Sequence, residues 1–176
     1  KKEYNRNMNS SFGKIFTRNY KSLNLIRVSE ENLRQNYKYL VSIDKNIQVS
    51  PVLKSNAYGH GLNLVSSFID DLNAPFVCVD SLYEAYELLK KKIKTPILIM
   101  GYIDPVSLQT KKLPFSYVVY DIERIEALNK YQANAKIHIF VDTGMHREGV
   151  LLEDLSQLLE FVSTKTNLKI EGLMSH

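Results

Sequence analysis

Short, nearly continuous apolar runs alternate with amphipathic segments along most of the chain, and this alternation restricts the fold more than any other feature. The runs predict strands at Ile47–Lys54, Pro75–Asp80, Pro96–Gly101, Ser116–Tyr120, Lys136–Asp142 and Leu168–Ser175. Between them, apolar residues recur at helical spacing. Leu62, Val65, Ile69 and Leu72 predict a helix over Leu62–Leu72, and a capping box at Ser81 and Glu84 opens another that runs to Lys91. Further helices are expected from Asp104 to Lys111, after the cap Asp121 with Ile122, Ile125 and Leu128, and over Glu153–Val162. Upstream, Leu23–Val28 reads as a short strand. Ser29 then caps an amphipathic helix to Ser42, with Glu30 and Glu31 at its positive end and Leu33, Tyr37, Leu40 and Val41 on one side.

Strands that lack polar alternation are buried on both faces, which makes the sheet parallel. Doubly wound sheets and (β/α)8 barrels share this pattern. No GxGxxG follows the first strand, so a dinucleotide fold lacks support. A closed barrel needs eight strands and about 250 residues, whereas these 176 residues supply six strands. The expectation is an α/β chain forming part of a (β/α)8 barrel, with about six βα units. The barrel portion spans residues 23–176, after a flexible polar lead-in over residues 1–22. An open sheet exposes an unpaired edge, so the 176-residue chain by itself is expected to fold weakly.

Composition narrows the function classes. With 44% hydrophobic and 24% charged residues, the chain has material for a core, which excludes disorder as its default state. The single cysteine, Cys78, excludes an internal disulfide and a cysteine-based zinc site, and its apolar neighbours predict a buried thiol. No metal site is expected. The net charge of +4 comes from lysines in short scattered groups without an aromatic stripe, so nucleic acid is not an expected partner. The basic start is not followed by an apolar signal segment, and no run approaches the ~18 residues that span a bilayer. A soluble, cytoplasmic chain with no membrane contact is expected.

Polar residues gather where the predicted strands end, which is where α/β enzymes build their sites. Lys54 closes the first apolar run and is followed at once by Ser-Asn-Ala-Tyr-Gly-His-Gly. It reads either as a lysine snorkelling out of a strand end or as a desolvated amine able to condense with a carbonyl. Gly59 and Gly61 would let backbone approach an anion. The fifth run ends Asp142-Thr-Gly-Met-His-Arg-Glu-Gly, where Arg147 is either a surface side chain or a planar clamp for a carboxylate. His176 follows the last run.

Three motifs now carry a specific resemblance. VLKSNAYGHG (residues 52–61), VDTGMHREG (141–149) and EGLMSH (171–176) resemble, in order, the signatures of alanine racemases. Those signatures usually read VKANAYGHG, VDTGMGRLG and EGIFTHF, and the opening LIRVSEENLRQNYKYL also resembles the way these enzymes begin. The resemblance implies pyridoxal 5'-phosphate as cofactor and interconversion of L- and D-alanine by two bases, with D-alanine feeding peptidoglycan synthesis. It implies that Lys54 holds the cofactor as a Schiff base and serves as one base, that Tyr58 binds the phosphate, and that His176 lies against the pyridine ring. Arg147 would engage the substrate carboxylate, and Met145 would offer that carboxylate a backbone amide across a homodimer. The second base would be a tyrosine from the other subunit's C-terminal β-domain, a domain whose sheet the strand at Leu23–Val28 would join.

The sequence departs from the family pattern at several positions. Phe140 stands where many members carry a carbamylated lysine that holds the arginine. His146 replaces a common glycine and Glu148 a common leucine, while Ser55 and Ser175 are mild changes. Alternative readings are a racemase of serine or a basic amino acid, a non-catalytic pyridoxal-phosphate carrier, and a remnant used only for interaction.

Overall fold

The computed structural model describes residues 26–176. The expected lead-in and the residues Leu23 to Leu25 lie outside the described residues, and Ile26 to Val28 are irregular rather than a strand.

Five parallel strands form the main sheet: β1 (Val77–Val79), β2 (Ile97–Ile99), β3 (Phe115–Val119), β4 (Lys136–Asp142) and β6 (Lys169–Met174). They lie side by side in chain order, whereas a doubly wound sheet reverses direction midway. Every crossover therefore turns the same way and the helices that join these strands fall on one face, as an arc of a (β/α)8 barrel requires. Helices α4 (Leu82–Lys90), α5 (Ile122–Tyr131) and α6 (Leu155–Lys165) supply Ala85, Leu88, Ile125, Leu128, Leu158 and Val162 to the core on that face. The outward strand residues Val77, Val79, Ile99, Tyr117, Val119, Ile137 and Ile139 meet them there, each at most 1% exposed. The alternate residues Cys78, Leu98, Val118 and Phe140 form a second, smaller cluster on the concave face, bordered by Phe76, Met100, Tyr120 and Met174.

Several elements differ from the sequence reading. The strand expected at Ile47–Lys54 is reduced to one bridge, Val52 to Cys78. Pro51 has no N–H to donate, so the segment pairs only through Leu53 N–H to Cys78 O (2.8 Å) and Cys78 N–H to Pro51 O (2.9 Å). The helix expected over Leu62–Leu72 is a turn of α-helix, α3 (Leu62–Val65), continued as a 3₁₀ segment Ser66–Leu72. The one expected from Asp104 is a 3₁₀ turn, Pro105–Leu108, capped by Asp104. Helix α1 (Glu30–Ile43) is capped by Ser29 as expected, but none of its residues is buried, and Tyr39, Leu40 and Val41 face outward. A short strand the apolar pattern did not show, β5 (Val150–Leu151), pairs with Val141 and Asp142 at the tip of β4.

Candidate functional site

Because the strands are parallel, Lys54, Asp80, Gly101, Asp121, the loop Thr143–Gly149 and Ser175–His176 all emerge at one end of the sheet, the C-terminal end. The chain reaches this end on the first segment at Leu53, buried at 6% exposure and tied to Cys78. Lys54 follows, half-buried, and makes no hydrogen bond or ion pair among the described residues.

The residues after Lys54 form an unusual turn, α2 (Lys54–Tyr58). Ser55, Asn56, Ala57 and Tyr58 all have φ between 50° and 57°. A left-handed turn costs L-residues about 1–2 kcal/mol each, so it persists only where its surroundings over-determine it. Several contacts do so here. Ala57 is buried at 4% exposure, and its N–H donates to Leu53 O (2.8 Å). The Asn56 side-chain oxygen accepts the Leu62 N–H (2.8 Å), and the Asn56 N–H donates to the Glu84 carboxylate (3.4 Å). Gly59 continues the left-handed path at φ +85° with open space around it, so its role is conformational and not one of close approach. Tyr58, 62% exposed, stands beside an open groove lined by Ile26, Val28, Asn32 and His60.

On the far side of the arc, Asp142 organises the loop after β4. Its Oδ1 accepts the N–H groups of Gly144 (2.9 Å) and His146 (3.1 Å), and its Oδ2 lies 3.4 Å from His146 Nδ1. The two backbone N–H bonds, chiefly that of Gly144, hold its carboxyl below the usual range. His146 sits at φ 53°, so the histidine occupies a left-handed position that the family's glycine adopts freely. Met145 is exposed, and Arg147 pairs with its neighbour Glu148 at 2.9 Å. The Thr143 and Ser175 hydroxyls hydrogen-bond, joining this loop to the end of β6 next to His176. Lys54 and Tyr58 thus sit at one edge of the rim, and Met145, Arg147 and His176 at the other, with β1 to β3 between them.

Phe140, 5% exposed, packs in the concave cluster and edge-on to Tyr120 (6.4 Å), so it supplies no acidic partner for Arg147. Burial lifts the Cys78 thiol to about 11, in keeping with a packing role. A separate cavity of about 200 Å³ lies among Tyr102, Leu108, Tyr117 and Arg124, and none of the residues expected at the site lines it.

The comparisons with known proteins decide the family. The family model for the alanine racemase N-terminal domain matches residues 28–176. The chain belongs to the alanine racemase N-terminal domain family. It is 36% identical over 159 residues to alanine racemase 1 of Caldanaerobacter subterraneus subsp. tengcongensis, covering 86% of this chain and 41% of that protein. It is 30% identical over 153 residues to an amino-acid racemase of Enterococcus faecalis, covering 86% of this chain and 21% of that one. Among solved structures, alanine racemase of Clostridium difficile 630 in complex with cycloserine superposes with a TM-score of 0.74 at 26% identity, over 84% of this chain and 42% of the other. The chain thus spans about 41% of the length of its Caldanaerobacter relative. The family is dependent on pyridoxal phosphate, and the donors on this rim suit that group: a primary amine at Lys54 for an aldehyde, a free phenol at Tyr58 for a phosphate oxygen, and an imidazole at His176.

Proposed function

We infer that residues 23–176 are the barrel portion of an alanine racemase, cytoplasmic and homodimeric as a whole protein, which supplies D-alanine for peptidoglycan. The observation that supports this reading is Lys54, an unpartnered, half-buried amine just before a left-handed turn at the C-terminal end of a parallel strand arc. In this reading Lys54, Tyr58 and His176 hold pyridoxal phosphate. That cofactor, when bound, supplies an electron sink for the charge left at the α-carbon. The Lys54 amine takes the α-proton on one face or returns it there. Arg147 draws in the substrate carboxylate with its planar fork, assisted by the Met145 backbone amide across the dimer. The second base, on the opposite face, is a tyrosine of the partner subunit's C-terminal domain.

Glu148 takes the place of the family's modified lysine as the anion beside Arg147. The pair is exposed and adjacent in sequence, so it holds the guanidinium loosely. A racemase acting on another amino acid is the second reading, supported by the likeness to the Enterococcus faecalis protein.

The test is to incubate the full natural protein with pyridoxal phosphate, reduce with borohydride and map the modified lysine, then follow deuterium exchange at the alanine α-carbon. A single adduct at Lys54 with α-exchange that Lys54→Ala abolishes is the expected result. Adducts scattered over surface lysines would leave the remnant reading in its place.

A further inference from the structure

Glu84 is one of only a few buried charged or polar residues, 9% exposed, and among the described residues it has no cationic partner. Burying a carboxylate is costly unless hydrogen bonds replace its water. Two backbone groups do so, from different parts of the chain. Glu84 Oε2 accepts the Asp80 N–H at 3.0 Å, at the end of β1. Its Oε1 accepts the Asn56 N–H at 3.4 Å, in the left-handed turn two residues beyond Lys54.

A glutamate at this position of a capping box ordinarily reaches back to the N–H of the capping residue itself. Here the Ser81 hydroxyl accepts the Glu84 N–H (3.2 Å), so half of the box is present. The other half is redirected: the carboxylate passes over Ser81 and bridges two neighbouring strand ends. Capping α4 requires no such bridge, and an exposed side chain could do it without the burial cost. The left-handed turn does require one, because four consecutive residues there are held against their intrinsic preference.

We propose that Glu84 is a positioning residue for Lys54: its buried carboxylate clamps the left-handed turn to the end of β1 and so fixes where the Lys54 amine stands on the rim. The proposal rests on the reading of Lys54 as the cofactor lysine, but the clamp is measurable without cofactor. Glu84 touches no reacting atom and acts through the turn.

The experiment compares Glu84→Ala, Glu84→Gln and Ser81→Ala with the parent in the full natural protein. Ser81→Ala removes the cap of the same helix and leaves the carboxylate in place. The first readout is amide hydrogen exchange over residues 55–59 without cofactor. The second is the ratio of borohydride-trapped pyridoxal phosphate at Lys54 to that at all other lysines, with the absorption maximum of the bound cofactor. Glu84→Ala is expected to speed exchange in the turn at least tenfold and to cut the Lys54 ratio at least tenfold. Ser81→Ala should change neither, and Glu84→Gln, which keeps one acceptor, should restore most of both. Equal effects from Ser81→Ala, or no change in exchange on losing Glu84, would overturn the proposal. If Glu84→Ala does not fold, Glu84→Asp decides, because its shorter side chain cannot reach both the Asp80 and the Asn56 N–H: exchange in the turn unchanged from the parent overturns the clamp. A parent protein without a Lys54 adduct but with a tightened turn would remove the function of Lys54 and leave the clamp standing.

Discussion

The guanidinium of Arg147 lies 2.9 Å from the carboxylate of Glu148, its immediate neighbour, while Phe140, the β4 position where the family commonly carries an anionic modified lysine, is buried. Both partners are substantially exposed, at 50% and 36%. The pair contributes little to stability, so its consequence lies in charge: if Arg147 is the substrate clamp proposed above, Glu148 both holds one guanidinium nitrogen and sets a negative charge beside the incoming carboxylate.

Glu148→Leu should therefore leave the denaturation midpoint almost unchanged, since exposed pairs contribute about 0–1 kcal/mol. Repulsion between unit charges about 4 Å apart in water is about 1 kcal/mol. Removing it should lower KM for alanine about two- to fivefold in the full protein with kcat held. A rise in KM would mean that Glu148 orients Arg147 and does not compete for it.

Phe140→Lys restores the residue type common in the family, yet it should harm this chain. The side chain is 5% exposed among Cys78, Leu98 and Val118, with Tyr120 against its ring. Loss of a buried aromatic costs about 3–5 kcal/mol, and an unpaired ammonium adds to that cost. A fall of about 3 kcal/mol or more in urea-unfolding free energy is expected. A stable Phe140→Lys variant would show that the concave cluster opens to water.

Glu171 joins the base of three strands. It accepts from Ser116 (2.9 Å) and Lys136 (2.6 Å) and lies 3.3 Å from His138 Nε2. Burial alone would raise its pKa, but the bonds from Lys136, Ser116 and His138 outweigh burial and lower it. A lowered folded-state pKa gives stability that is complete above the ordinary glutamate value, about 4.3, and is lost as pH falls through the lowered value. Asp142 behaves in the same sense. Acid unfolding should start only below about pH 4, the ordinary carboxylate range. Lys136→Met takes away the largest of those bonds, so it should lower stability near neutral pH and flatten the loss of stability toward acid. Circular dichroism against pH reads both.

The sequence made some of this visible and hid the rest for physical reasons. β4 runs from Lys136 to Asp142 as its apolar pattern requires, and Ser29, Ser81 and Asp121 each cap the helix they precede. Caps are local, so a single sequence reveals them. Lys54, Tyr58, Arg147 and His176 were legible as a motif set, and their common end of the sheet follows from parallel strands. The left-handed turn was not legible, because Ser55, Ala57 and Tyr58 carry no preference for positive φ and only Asn56 and Gly59 do. Nor was its clamp, since Glu84 lies 28 residues away in sequence and looks like an ordinary capping-box residue. The reduction of Ile47–Lys54 to one bridge could have been anticipated from Pro51.

Gly101 shows how tightly the strand ends are packed around that clamp. A Cβ there would lie 2.2 Å from the Asp80 carbonyl oxygen, and the Gly101 N–H donates to that same oxygen at 3.1 Å. Asp80 is also the residue whose N–H Glu84 holds, so it cannot retreat without loosening the turn. Gly101→Ala should cost about 1–3 kcal/mol, as overpacking does, and should raise amide exchange at Asn56 as well as at Asp80. Gly59→Ala is the contrast: φ is +85° but nothing lies within 4 Å, so only the backbone penalty of about 1–2 kcal/mol applies. Its exchange effect should stay within residues 57–61. If Gly101→Ala perturbs Asp80 alone, the rim does not transmit displacement from β2 to the Lys54 turn, and the strand ends move independently.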